Sequence, residues 1–568
     1  MSGSHRDTPA LPIEPLSSVG PSAARQSDSP HPGTMAINDM NRHLVLLLGH
    51  IEGVLERRQV LVVGILSVLS IVGYLCKAAS TPMWADELWT FYLAKAPDTG
   101  TILRAIKQGM ELNPPLSFLL AHASQLVFGA SEVGTRLPSL LSFWLMSLAL
   151  FLFMKRRAGA ISGYVAMLLP YFTYAEAHAA EARAYSQVLC AGALALLFWQ
   201  IGEKPAPAKY AMPGFAVAIA ALVSLHYFAL YIVVAIALAE LVRPDKNRTR
   251  TMWFWGSLAA GCTPFLYLIP VMRNVRAGAG HFLLSPSPEA LNAAYSDAAG
   301  PAAAIAVFLI GLAARPVVER FTAPAGEQRS ALALHEWTAA ILLSLMPPAM
   351  YVAAITITNA YVGRYVMPVI LGIVILTSAL VYRIGTAVRE IPVLLACILS
   401  VGFSGRQINN VLTWVKAPPL RAEGEWRTLP FPNLPVVIDD DNQFLQTARY
   451  GTPQMVARSY YLTDTELEIR KVGYDTIGRT MQVGRTLHPL HVEDYRKFVS
   501  EHRQFLLIRN SNLMVGWVPK QLMMDRADLR LIGFRKGYGF RADEGSIFLV
   551  TMQANSPAGG PGLTPNAH

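Results

Sequence analysis

Charge is scarce in this chain, and cysteine at paired spacing is missing altogether. Asp, Glu, Lys and Arg make up only 15% of the 568 residues, against 53% apolar, and mean hydropathy is +0.34. A soluble globular chain carries about 25% charged residues, so the composition excludes that class and points to a membrane solvent. The four cysteines, Cys76, Cys190, Cys262 and Cys397, lie singly inside apolar runs. That pattern excludes a disulfide framework and a thiolate zinc site. No phosphate-binding glycine loop and no internal repeat occur, which argues against an ATP-driven transporter. Residues 1–40 are rich in Pro, Ser and Ala and have no apolar centre, so they cannot act as a cleavable signal peptide. Residues 1–50 are expected to be a disordered tail, and Met35 and Met40 offer alternative starts just before the patterned region.

Long apolar runs, by contrast, recur from about residue 60 to residue 410. They fall at 60–78, 136–154, 160–179, 184–201, 211–225, 227–242, 253–271, 301–314, 335–357, 366–382 and 391–408. Roughly twenty residues cross the hydrocarbon core, so the expected fold is a polytopic α-helical membrane protein with about eleven transmembrane helices. After residue 420 the texture becomes an ordinary polar and apolar mixture. Strand-like runs at 434–438 and 546–552, with a helical stretch at 492–502 leading into the apolar run 505–508, predict a small α/β domain over 420–555. The segment 51–415 is then the membrane module, and 556–568 a second disordered tail.

The net charge of +10 sits in short clusters between apolar runs rather than along one stripe. Topology explains it better than nucleic acid, which is not expected as a partner. If Leu116–Phe128 lies at the interface instead of spanning, then Arg57-Arg58, Lys155-Arg156-Arg157, Lys204 with Lys209, Arg243 to Arg250, Arg315 to Arg329 and Arg383 to Arg389 all fall on one side. The positive-inside rule makes that side cytoplasmic. The N-terminus is then cytoplasmic, and the loop 79–135, the short turns at 181–185, 226–227 and 361–365, and the C-terminal domain lie outside, in the periplasm of a bacterial inner membrane.

Polar residues out of place near a bilayer gather on that outer side: Asp86, Glu87, Asn113, Arg136, Glu181, Arg183, His226, His281 and Arg364. Charges at helix ends facing one side mark a substrate path, although any one of them can instead cap a helix or meet lipid head groups. Adjacent helical residues point about 100° apart, so one of Asp86 and Glu87 is expected to face the site. A carboxylate there can take a proton from an acceptor hydroxyl or amine, or hold a divalent cation. The plainer reading is an acidic first turn of a helix. Arg136, Arg183 and Arg364 each stand at an outer helix end, and guanidinium forks suit phosphate; a lipid phosphate is the anion nearest to hand. Asp439-Asp440-Asp441 after Val436 to Ile438 could imitate a nucleotide-sugar metal motif, but a strand running into a solvated acidic loop is the commoner pattern, and nucleotide sugars are not expected outside the cytoplasm.

Five short motifs in order carry a resemblance: Asp86-Glu87, Asn113-Pro114-Pro115-Leu116, Arg136-Leu137-Pro138-Ser139, Glu181-Ala182-Arg183-Ala184-Tyr185 and His226-Tyr227, with Arg364-Tyr365 further on. The chain resembles the GT-C class of lipid-linked-sugar glycosyltransferases, in particular bacterial relatives of dolichyl-phosphate-mannose protein mannosyltransferases and the aminoarabinose and galacturonic acid transferases of lipid A and lipopolysaccharide. Asn113 stands where the family usually has His. The resemblance implies inverting transfer of one sugar from a polyprenyl-phosphate donor to an envelope glycolipid, glycan or protein, among membrane lipids. It further implies that Asp86 is the general base or metal-site carboxylate. Glu87, Asn113, Arg136, Arg183, Tyr185, His226, Tyr227, Arg364 and Tyr365 would line the substrate site. No cofactor is certain; a divalent cation at Asp86 is the one candidate. The rival class is a secondary transporter or flippase, which would place its charges near the midplane on broken helices.

Overall fold

The computed structural model describes residues 32–203, 210–245, 247–270, 286–296, 331–358, 361–420, 429–510, 516–535 and 545–553. Ten of the eleven expected apolar segments fall on described helices, and the eleventh, 301–314, lies outside the described residues. Five helical stretches are long and apolar enough to cross a membrane: Gln59–Ser80, Glu132–Phe172, Arg248–Pro270, Val369–Ala387 and Glu390–Lys416. Leu334–Ser344 and Met346–Thr356 make a sixth if the pair, bent by 52°, counts as one. Four shorter apolar helices, Leu116–Phe128, Tyr185–Ile201, Ala211–Leu225 and Tyr227–Leu241, complete the set.

Local chemistry sets where these helices start and stop. Helix α1 (Pro32–Arg57) replaces the tail expected to reach residue 50. Its first residue is a proline, which needs no N–H there, and Leu44 to Leu48 sustain an apolar run. Residues up to His50 form a unit of their own, and residues 1–31 lie outside the described residues. Helix α2 (Gln59–Ser80) exposes Val60, Leu61, Ile65, Val68 and Val72, a lipid-facing stripe. After α3 (Ala85–Ala94), α4 (Thr99–Lys107) and α5 (Leu116–Phe128) comes α6 (Glu132–Leu168), broken at Gly159, whose φ of 81° is open to glycine at little cost. The expected segment 160–179 stays α-helical only to Leu168. Pro170 then lies in the first of two 3-10 turns, Leu169–Phe172 and Tyr174–His178. Helices α7 (Tyr185–Ile201), α8 (Ala211–Leu225), α9 (Leu230–Leu241) and α10 (Arg248–Cys262) follow.

Three of the basic residues assigned to a common side, Arg157, Arg243 and Arg250, meet in a single network. Arg157 bonds to Glu336 at 2.8 Å and to Glu203, Arg243 reaches Glu240 at 2.8 Å and Glu203 at 3.4 Å, and Arg250 reaches Glu240 at 3.1 Å. Arg389 pairs separately, with Glu52 at 2.8 Å. Lys204, Lys209 and Arg315 to Arg329 lie outside the described residues.

Leu116–Phe128 has 13 residues, about 20 Å at 1.5 Å per residue, close in length to Leu230–Leu241 and Ala211–Leu225. Its Phe118 is buried while Leu126, Val127 and Phe128 stay exposed.

Residues 436–551 form a six-stranded sheet in the order β3-β2-β1-β4-β6-β5. The strands are β1 (Val436–Ile438), β2 (Ser459–Thr463), β3 (Val492–Asp494), β4 (Gln504–Asn510), β5 (Asp528–Arg535) and β6 (Gly545–Thr551). β1, β2, β3 and β4 pair in parallel, and β6 pairs antiparallel with both β4 and β5. Successive side chains of a strand point to opposite faces, and the two faces have separate cores. Val437, Phe505 and Leu507 join Leu462 and Phe498 on one side. Val436, Ile438, Leu506 and Ile508 pack on the other against Leu88, Trp89, Phe91 and Phe118 from the loop helices α3 and α5. Burying a side chain of that size stabilises by about 1.5–3 kcal/mol. The sheet domain and the first long loop therefore share one core, which fixes the start of α3.

Candidate active site

Helix α3 begins without a side-chain cap of its own, because Trp84 occupies that position. The first orphan N–H, that of Ala85, is instead taken by Asn442 Oδ1 of the sheet domain at 2.8 Å. Met83 is held on both sides, its N–H donating to Tyr450 Oη at 2.8 Å and its carbonyl accepting from Gln446 Nε2 at 3.0 Å. The first turn of α3 thus projects two carboxylates in different directions.

Asp86 faces two arginines. Its Oδ2 lies 3.0 Å from Arg364 Nη1 and 4.0 Å from Arg183 Nε. Arg364 comes from the 3-10 turn Gly363–Val366, and Arg183 from the turn ahead of α7. Glu111 grips Arg183 Nη1 at 2.6 Å, while the same nitrogen also donates to the Asp86 carbonyl at 3.1 Å. Aromatic rings wall the arginines: Arg364 lies 5.5 Å from the Trp84 ring and 6.0 Å from Tyr185. The His226 ring is 5.0 Å from Tyr365 and 6.1 Å from Tyr185. Burial, then the charges of Arg183 and Arg364, push the His226 pKa down to about 3, so the imidazole is neutral at physiological pH. Among the described residues, Arg364 Nε and His226 Nε2 are buried without a hydrogen-bond partner.

Glu87 and Arg136, both expected to contact substrate, are instead spent on each other. Arg136 Nε and Nη2 donate to Glu87 Oε1 and Oε2 at 2.7 and 2.6 Å. Its remaining N–H groups go to the carbonyls of Ala78, Thr81 and Pro82 at 2.8, 2.6 and 3.2 Å. A guanidinium has five donors, and all five are in use, so Arg136 has none to offer a phosphate. Glu87 Oε1 also accepts from Ala182 N at 2.8 Å. The pair is a buried clamp that joins the end of α2, α3, α6 and the turn carrying Arg183.

Asn113 sits half-buried at a bend and Tyr227 carries a buried hydroxyl with no partner among the described residues, where no hydrogen bond joins either to Arg183 or Arg364. His281 lies outside the described residues. Two participants escaped the sequence reading. Glu111 stands two residues before Asn113-Pro114-Pro115, and Trp84 two before Asp86, so both lie inside or beside motifs that drew attention for other residues.

The oxygen of Asp86 looks at two cations, a poor setting for a divalent metal and a good one for an anion. Among the described residues no group of three or more His, Cys, Asp or Glu is placed to hold a metal ion.

Residues 113–271 match the family model described as dolichyl-phosphate-mannose-protein mannosyltransferase. No curated protein matches the chain. Among solved structures, ArnT from Cupriavidus metallidurans in the apo state is similar at a TM-score of 0.54 and 12% identity, covering 88% of this chain and 99% of that one. ArnT bound to undecaprenyl phosphate gives 0.49 at 12% identity, with the same coverage. The Archaeoglobus fulgidus oligosaccharyltransferase complex with Zn and sulfate gives 0.40 at 10% identity, covering 78% of this chain and 67% of that one. The family model over residues 113–271 and the likeness of the fold to apo ArnT agree with the resemblance drawn from the motifs.

Proposed function

We propose that the protein transfers a single sugar from a polyprenyl-phosphate donor to an envelope acceptor at the outer face of the bacterial inner membrane. The observation that carries this reading is Asp86 set against Arg364 and Arg183 under a roof of aromatic rings. A phosphodiester entering there meets two guanidiniums, one of them with an unused buried Nε. Its negative charge grows as the bond from the anomeric carbon to phosphate oxygen breaks, so the arginines stabilise the transition state more than the ground state. The phosphate also competes with Asp86 for Arg364, releasing the carboxylate to take the proton of the acceptor hydroxyl or amine as the new bond to the anomeric carbon forms. The departing group is the polyprenyl phosphate. Tyr185, Tyr365 and neutral His226 supply an apolar, weakly polar wall suited to a sugar ring.

The grouping of these charges at helix ends, outside the spans, favours catalysis at a membrane surface over transport through the midplane. Mass spectrometry of envelope glycolipids with and without the protein tests the proposal. A glycolipid or glycan lacking one sugar in its absence is the expected result, and an unchanged envelope would contradict it.

A further inference from the structure

Asp439-Asp440-Asp441, which the transfer chemistry leaves unused, stands where an open α/β sheet takes its ligands. β1 and β4 are parallel neighbours, and the chain leaves them toward opposite faces of the sheet. After β1 it enters the helix Asp441–Tyr450, whose Phe444 and Leu445 join the core shared with α3. After β4 it reaches the helix Val518–Met524, whose Val518 and Leu522 join the other core. Strands whose connections part in this way leave a crevice at their carboxyl ends, the usual ligand position in such sheets. The three carboxylates form its β1 edge. Asp439 is buried and accepts the Val518 N–H, and Asp440 caps the first helix, its Oδ1 accepting from Gln443 N at 2.7 Å.

The crevice runs toward Asp86. Along the helix Asp441–Tyr450, Tyr450 and Gln446 bond Met83 while Asn442 bonds Ala85, so successive turns toward its N-terminus track the chain from Met83 to Ala85. Asp441 comes next in that order, as Asp86 does on the facing segment. The two carboxylates are close enough to act on each other: burial, then the charges of Asp440 and Asp86, push the Asp441 carboxyl upward. Unlike Asp439, Asp441 keeps exposed surface, and among the described residues it forms no ion pair.

Charge decides what this wall can receive. Arg364 and Arg183 answer Asp86 and Glu111, and the donor phosphate proposed above displaces Asp86 from Arg364. Asp86 is then released beside an Asp441 that has no cation of its own. A phosphate carried by the acceptor would be repelled by this pair of carboxylates, whereas a hydroxyl or ammonium donates a charge-assisted hydrogen bond to either. We propose that Asp441 binds a hydrogen-bond donor, hydroxyl or ammonium, next to the acceptor's nucleophile, so that the sheet domain selects an acceptor with no phosphate at the point of attack. This assignment rests on the transfer reaction proposed above, with Asp86 as its base.

The test uses the full chain in nanodiscs with a membrane extract of cells that lack the protein, which supplies lipid-linked donor and acceptor together, and mass spectrometry reads the sugar transferred. Asp441→Ala should lower transfer about 10-fold to 100-fold, the loss of one charge-assisted hydrogen bond, and Asp441→Asn should lie between it and the wild type. Titration with undecaprenyl phosphate should give wild-type affinity in both, and the thermal midpoint should not fall, because Asp441 has no ion pair to lose. Asp441→Lys should abolish transfer. Extract treated with alkaline phosphatase, which removes phosphate monoesters and spares the donor's phosphodiester, should accept as well as untreated extract. Undiminished transfer by Asp441→Ala, a gain by Asp441→Lys, or acceptor activity destroyed by phosphatase overturns the proposal. So does weakened undecaprenyl phosphate binding in Asp441→Ala, which would assign the residue to the donor. No transfer by the wild type into untreated extract would refute the reaction itself, a result distinct from that of any variant.

Discussion

Asn442 of the sheet domain accepts a hydrogen bond from the backbone of Ala85 at 2.8 Å, so the helix that carries Asp86 is capped by a domain more than 350 residues further along the chain. A lost N-cap costs about 1 kcal/mol, and the turn it releases here carries Asp86, the proposed base. Asn442→Ala should lower sugar transfer several-fold while leaving undecaprenyl phosphate binding in place, whereas Asn442→Asp, which keeps the acceptor oxygen, should retain most activity. Equal loss in both variants would mean that the cap is not what matters.

The clamp between Glu87 and Arg136 yields a stability prediction rather than a kinetic one. Each side chain is about 3% exposed, and removing one partner of such a pair leaves a buried charge at a cost of about 3–5 kcal/mol. Glu87→Ala and Arg136→Ala should each reduce folded protein in the membrane sharply, and Glu87→Leu combined with Arg136→Met should recover much of it. Stable single variants with a raised donor KM would restore Arg136 to the phosphate site.

Arg364→Lys and Arg183→Lys keep charge but lose the planar fork that meets phosphate at two points. Donor KM should rise in both, with turnover reduced. Glu111→Gln loosens the grip on Arg183 and should move the same constant in the same direction by a smaller factor. Wild-type donor kinetics in all three would make these arginines head-group anchors.

Within the sheet domain, burial and then the neighbouring charge of Asp440 raise the Asp439 carboxyl from 3.8 to about 8, and burial takes Glu468 from 4.5 to about 8. A folded pKa above the unfolded one means the native state binds the extra protons, so stability falls as pH rises between about 4 and 8. The thermal midpoint of the full chain's sheet domain should therefore drop over that window, and Asp439→Asn should flatten the slope and raise the midpoint at pH 8. A flat wild-type profile would contradict the burial of these groups.

Much of this was legible in the sequence because membrane spans and basic clusters are signalled by composition alone. Charge parity puts Leu116–Phe128 at the interface, a placement that its 13 residues do not decide, since Leu230–Leu241 is shorter still. Asp86, Arg183 and Arg364 were recognisable as charges at helix ends. What the sequence could not convey is partnership. Arg136 and Arg183 look alike in one dimension, yet one has every donor occupied by carbonyls and Glu87 while the other keeps reach toward Asp86. The shared core of α3 and the β-sheet likewise joins residues hundreds apart, and no local pattern in the chain records such a pairing. The early end of α6 at Leu168 follows from Pro170, a breaker visible in the sequence but outweighed there by the apolar run around it.

The most direct test of the account is sugar transfer by Asp86→Asn beside Glu87→Gln, each normalised to protein folded in the membrane. A positioned general base contributes about 100-fold to 10,000-fold in rate, so Asp86→Asn should be abundant and at least about 100-fold slower. Glu87→Gln should lose folded protein, with what remains still transferring sugar. Normal transfer by Asp86→Asn, alongside a well-folded but inactive Glu87→Gln, would show that the other carboxylate does the chemistry.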